Sequence, residues 1–229
     1  MNVVAMRQTR RNMLRGIVLA GSATLASPKA IKQSRASHTG SPTDLEIKSD
    51  SRDDGRAKYE VWTTGEIKKD GSTEPSDSVY NSGDTHYAAG EINGGGSSDY
   101  YEFEGQVIEI YHTRASGSND TPRLMWYFSK NLDYTGHDCV DVIGFGGDRW
   151  GNWNMAEMNC TGSFEKPGDG SLESEDKVDG SYAESHTKNG GHDHFEMNGE
   201  FSSIRTRIGD PSSDNPGEIK IERELDCSW

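Results

Sequence analysis

The chain is poor in the materials of a thick helical core. Only 31% of its 229 residues are hydrophobic, and no stretch after the first 26 residues shows helical periodicity. Cysteines are scarce: Cys139, Cys160 and Cys227. An odd number cannot fully pair within one chain, so an exported form is expected to hold one disulfide among the three, unassigned, and one free thiol. No CxxC spacing occurs, which removes the closely spaced cysteines of a structural zinc site. The glycine run Gly94–Gly96 is not followed by Lys-Ser/Thr, and the chain beyond it alternates like a strand. A phosphate loop needs a helix N-terminus there, so nucleotide binding is excluded. Positive charge is also short. The net charge is −14, which repels nucleic acid and anionic membranes.

What basic character exists is concentrated at the start. Residues 1–26 hold Arg7, Arg10, Arg11 and Arg15 and no acid, and without them the charge is −18. Arg10-Arg11 precedes a short apolar stretch, Gly16 to Ala26, which is too short and too rich in small residues for a stable membrane anchor. The segment resembles a twin-arginine signal peptide, with cleavage expected after Ala26 and Ala30 as a competing site. No anchor then remains, and the expected location is extracellular or at the cell surface. Residues 27–44 are polar and aperiodic and read as a flexible linker.

The remainder repeats. Leu45–Gly65 and Val142–Gly162 match loosely at a spacing of 97, both closing on Thr-Gly. "SSDYYEFEG", Ser97–Gly105, matches "GHDHFEMNG", Gly191–Gly199, at a spacing of 94, and Ile110 and Pro122 match Ile204 and Pro216 at the same spacing. Short runs of period two recur in both copies: Tyr59, Val61 and Thr63; Tyr101 and Phe103; Ile219 and Ile221. Bounded by Gly, Asn, Asp and Pro, they predict antiparallel strands. The expected fold is all-β, two tandem small antiparallel β-sandwich, jelly-roll-like modules over 45–134 and 135–229. Trp62 and Trp126 are expected in the core of the first.

"YEVWTTGEIKK … GEINGGGSSDYYEFEGQVIEI" resembles the repeated β-rich modules of secreted and surface proteins of halophilic archaea, with a "YxFxVSGxI"-like strand and a "GGxDxYxFxGEI"-like hairpin. The hairpin is also faintly similar to that of pre-peptidase C-terminal domains. The first resemblance covers roughly Leu45 to Glu222 and implies export, high salt and a β fold. It implies no activity.

Candidate functional residues are few. Asp99 and Asp193 are oxygen donors at equivalent turns and are candidate structural calcium ligands, although aspartate at a turn more often caps backbone amides. His192 and His194 share one strand face, where two imidazoles reach one ion, yet their counterparts are Ser98 and Tyr100. His137-Asp138-Cys139 offers acid–base and nucleophilic groups without an evident partner. Trp150 and Trp153 offer flat faces for glycan stacking, or else pack between the copies. Asn119 heads a glycosylation sequon.

The expected function is non-catalytic: a structural, adhesive or accessory role at the envelope or in the medium, with an envelope glycan or a secreted protein as partner. A carbohydrate-binding module using Trp150 and Trp153 is the main alternative, and a metal-dependent hydrolase a remote one. The surface charge makes its own prediction. Residues 58–229 carry 14 basic and 33 acidic residues, or −19, and molar salt screens their repulsion within a few ångströms. The melting temperature should therefore fall between molar and millimolar salt, and an unchanged value would refute salt adaptation.

Overall fold

The structure, a computed structural model, describes residues 42–225 apart from 72, 75, 119, 130–136, 146–152, 168–171, 173, 189 and 210–216. The expected signal peptide at 1–26, and Asn119, Trp150 and Cys227, therefore lie outside the described residues.

Alternation of apolar and polar residues produces strands throughout. They are β1 Thr43–Ser49, β2 Arg56–Thr63, β3 Ile67–Lys69, β4 Ser78–Ser82, β5 Thr85–Asn93, β6 Ser98–Phe103, β7 Val107–Arg114 and β8 Leu124–Phe128 in the first half. In the second half come β9 His137–Phe145, β10 Asn154–Cys160, β11 Ser163–Glu165, β12 Lys177–Asp179, β13 Tyr182–Thr187, β14 Gly191–Asn198, β15 Phe201–Arg207 and β16 Glu218–Glu224. The fold is all-β, as expected. Among the described residues these sixteen strands form two eight-stranded antiparallel sheets, ordered β12-β13-β10-β15-β8-β1-β6-β3 and β11-β14-β9-β16-β7-β2-β5-β4. Among the described residues no helix is long and apolar enough to cross a membrane.

Adding eight to each strand number reproduces every pairing within the first half in the second. Each half sends four strands to each sheet, and equivalent strands lie in opposite sheets. The chain crosses between sheets at every connection except the hairpins β4–β5 and β12–β13, a jelly-roll-like path. The halves meet at β8–β15 in one sheet and β7–β16 in the other. This differs from two small sandwiches set side by side. Both sheets run through both halves, one cluster of buried side chains draws on both, and the described residues fall in one compact unit. The reason is physical: an unpaired β7, β8, β15 or β16 would expose a row of backbone donors and acceptors.

Strand pairing also refines the repeat. Leu45 pairs with Tyr101, and Val140 with Phe195, so Leu45 corresponds to Val140 and the spacing there is 95 rather than 97. The spacing of 94 has a spatial meaning. Gln106 donates its amide N–H to Glu200 Oε1 at 2.9 Å, and His112 Nδ1 lies 2.9 Å from Thr206 Oγ1. Each contact joins equivalent residues across a pseudo-two-fold axis.

Period-two burial fills the space between the sheets. In β2, β6 and β16 buried and part-exposed residues alternate strictly through the strand centre. Tyr59, Tyr101, Phe103, Trp126 and Phe195 are essentially fully buried. Each such ring removes about 150–250 Å² from water, worth about 4–6 kcal/mol before ordering entropy is charged. Trp62 departs from expectation: it lies on the outer face, because Tyr59, Val61 and Thr63 take the core side of β2. There it stacks on Tyr87 at 4.5 Å, and Tyr87 stacks on Tyr80 at 5.4 Å.

The motif-closing glycines are explained by close approach. Gly105 and Gly199 have φ of 74° and 99°. A Cβ on them would meet Thr64 Oγ1 at 2.2 Å and Thr161 Oγ1 at 2.7 Å. Those hydroxyls accept the backbone N–H of Gln106 and Glu200. The Thr-Gly and Gly signatures recur because they touch.

Candidate functional site

Three polar constellations stand out. The first is buried. Asp99, at the start of β6, is 2% exposed and accepts the Tyr59 hydroxyl at 2.9 Å. Tyr59 Oη in turn lies 2.7 Å from Tyr101 Oη, and 3.4 Å from Asp77 Oδ2. Gly90 makes room, since a Cβ there would meet Tyr59 Oη at 2.3 Å. Burial, with Asp77 nearby, pushes the Asp99 carboxyl up to about 6, and burial also raises Asp77. The second half keeps the role with other residues. Asp193 accepts a hydroxyl from Ser185 at 2.6 Å, while Ala156 stands where Tyr59 does. Asp77 and Asp176 are a matching pair as well, accepting the backbone N–H of Glu91 and His186. In the first half the described residues bring two carboxylates and two tyrosine hydroxyls together, an all-oxygen set.

The second constellation is a shallow groove of about 640 Å³ on the outer face of the sheet that contains β8 and β15, at the junction of the halves. It is lined by Lys48, Arg52, Gly96, Tyr127, Glu157 and Arg205 among others. Tyr127 is 43% exposed. Asp50 gathers guanidinium groups from Arg52 at 2.9 Å, Arg123 at 3.2 Å and Arg205 at 3.6 Å, and its carboxyl is held well below the usual range, chiefly by hydrogen bonds from Arg52. The Gly94–Gly96 run forms a turn at its rim: Gly95 N–H bonds Asp53 O, and Gly96 N–H bonds Ser49 Oγ.

The third lies on the outer face of the other sheet. His192 and His194 sit two apart on β14, and Asp141 faces His194 from β9. His192 Nδ1 is 3.1 Å from Asp141 Oδ2, and His194 Nε2 is 3.5 Å from Asp141 Oδ1. One ligand atom from each of the three lies within 4.8 Å of the others. Asp141, fifty-one residues upstream, escaped sequence reasoning because only strand pairing brings it to the histidines.

Other sequence candidates are dispersed. Trp153 is described: the Lys188 ammonium sits 3.6 Å over its ring, and His186 meets it edge-on at 6.5 Å. Cys139 is disulfide-bonded and Cys160 is a buried free thiol whose pKa burial raises. Cys227 is the remaining cysteine of the sequence. His137, Asp138 and Cys139 go to separate partners: His137 pairs with Glu196 at 3.2 Å, Asp138 is fully buried against Arg223, and Cys139 is disulfide-bonded.

Comparison with protein-family models, with curated proteins and with solved structures finds no match to the chain.

The raised Asp99 carboxyl predicts a pH signature. The folded state keeps a proton up to about pH 6 that the unfolded chain releases near 3.8, so stability falls as pH rises through that window. Asp99→Asn removes this loss. Its advantage over wild type should be near zero at pH 4 and grow to at most about 3 kcal/mol at pH 7 and above. Denaturant melts across pH check this. A variant less stable than wild type at pH 8 without calcium would contradict it.

Proposed function

We propose that the chain is an exported, salt-adapted, non-catalytic β-sandwich with a structural, adhesive or accessory role at the cell envelope or in the medium. The observation that carries this reading is where the solvent-reachable polar clusters lie. The space between the sheets is filled by packed side chains, and the groove and the histidine cluster sit on broad outer sheet faces. Broad faces suit a polymer or a protein surface; small substrates are usually held in deep, mostly apolar pockets. The acidic composition, the Arg10-Arg11 segment and the resemblance to halophilic surface modules support the same reading. Expressed as the full chain in a host with twin-arginine export, the protein should reach the medium or the envelope. Arg10→Lys with Arg11→Lys should retain it in the cytoplasm, and normal export of that variant would sink the reading.

A second reading is carbohydrate binding, for which the sequence offers Trp150 and Trp153 and the structure adds the groove. An exposed tyrosine ring lies beside three cations, Lys48, Arg52 and Arg205, set against two carboxylates, Asp50 and Glu157; that small local excess of positive charge, in a chain of charge −14, suits an acidic sugar polymer. A glycan array read at molar salt should register acidic glycans. Tyr127→Ala and Arg205→Ala should each weaken binding by about 1 kcal/mol, or fivefold. Binding that ignores both substitutions, or no binding at all, would reject this reading.

A further inference from the structure

We propose that Asp141, His192 and His194 form a binding site for one late first-row divalent transition metal ion, zinc foremost, with a coordination position open to solvent. The function proposed above requires no metal, so this inference stands or falls separately.

The donor set is the first argument. Two imidazoles and one carboxylate suit zinc, nickel, copper or iron(II), whereas magnesium and calcium prefer all-oxygen shells. The spacing is the second. Zinc bonds of about 2.0–2.1 Å in a tetrahedron place ligand atoms about 3.3–3.4 Å apart. Measured to one carboxylate oxygen, Asp141 Oδ1, the separations are 3.2 Å to His192 Nδ1 and 3.5 Å to His194 Nε2, on either side of that value. Backbone pairing fixes this arrangement: β9 and β14 are paired from Gly191–Gly144 to Asn198–His137, so both metal-binding strands are rigidly joined. The next carboxylate across the sheet, Glu222 on β16, is engaged by Lys220 Nζ at 2.5 Å. The three ligand side chains are 15–32% exposed, which leaves the remaining coordination position facing outward.

The third argument is an internal control. The equivalent positions in the first half are Glu46, Ser98 and Tyr100, in the same register. They make the same constellation: Ser98 Oγ and Tyr100 Oη both donate to Glu46 Oε1, at 2.9 and 3.0 Å. A carboxylate with two side chains aimed at it is thus a feature of the fold. In the first half the partners are hydroxyls, which satisfy the carboxylate. In the second they are imidazoles, the side chains that most often bind zinc.

The first half also supplies a test variant whose residues are already compatible with the fold: His192→Ser with His194→Tyr. The full chain is titrated with zinc against a chromophoric chelator, and with cobalt(II) followed by visible absorption. The expectation is one ion per chain with a micromolar dissociation constant, and a cobalt d–d band. Excess magnesium or calcium should leave both unchanged. The double variant should lose at least about a hundredfold in zinc affinity and the cobalt band, with circular dichroism unchanged. Asp141→Asn, nearly isosteric, should weaken zinc about tenfold and serves if the double variant fails to fold. No zinc binding at 100-fold excess, binding that survives these substitutions, or displacement by magnesium would overturn the proposal.

Discussion

The sandwich depends on two strand pairs, β7 with β16 and β8 with β15. Each half alone would have two further edge strands, one per sheet, with backbone groups turned to water or to another chain. Joining the halves edge to edge satisfies both edges at once. The side chains at the junction show how closely it is specified. Trp126 faces Ile204 across one pair, and Ile110 faces Ile221 across the other. His112 is fully buried on the axis, and burial drives its pKa down to about 3, so it packs as a neutral hydrogen-bonding ring. Thr206 serves both sides of it, accepting Trp126 Nε1–H at 3.3 Å and meeting His112 Nδ1.

Arg223 extends this junction into the second half, and here the copies part. Its guanidinium is 1% exposed and donates to Asp138 at 2.8 Å, to Glu200 at 2.6 Å and to Gly199 O at 3.1 Å, while Glu200 accepts Gln106 across the axis. The equivalents of Arg223, Asp138 and Glu200 in the first half are Phe128, Thr43 and Gln106. The same volume is filled once by an apolar ring and once by a buried ionic group. Such a group is costly to desolvate and seldom stabilises more than its hydrophobic counterpart, but losing one member strands charges in the core. Fully satisfied as it is, it fixes the register of β9, β15 and β16 at that end.

Strands, and the pairing of residues 94 apart, were legible in the sequence because period-two burial and the glycine turns impose residue types directly. "SSDYYEFEG" and "GHDHFEMNG" align since Tyr101, Phe103, Phe195 and Met197 share one core face, and since Gly105 and Gly199 have no room for a Cβ. The fusion of the halves was not legible, because nothing in a strand's own pattern says which strand lies beside it. Trp62 was misplaced for the opposite reason: ring size suggested the core, whereas its parity along β2 put it outside. Asp141 was invisible as a partner of His192 and His194 because its contact is set by the pairing of β14 with β9.

The two copies diverge under different constraints inside the sandwich and on its outer faces. A buried aspartate at the start of β6 and β14 needs a hydroxyl donor in both halves, and Tyr59 supplies it across Gly90 in one, Ser185 beside Ala156 in the other. That site is constrained, and substitution there is compensated by a second substitution. The outer-face carboxylates Glu46 and Asp141 are under no such constraint, since their partners are half-exposed and the strands are held by backbone pairing. Hydroxyls can therefore give way to imidazoles at Ser98/His192 and Tyr100/His194 without disturbing the core. A duplicated scaffold with a fixed interior and permissive outer faces is a sound place for one copy to gain a ligand site while the other keeps the plain hydrogen-bonded form.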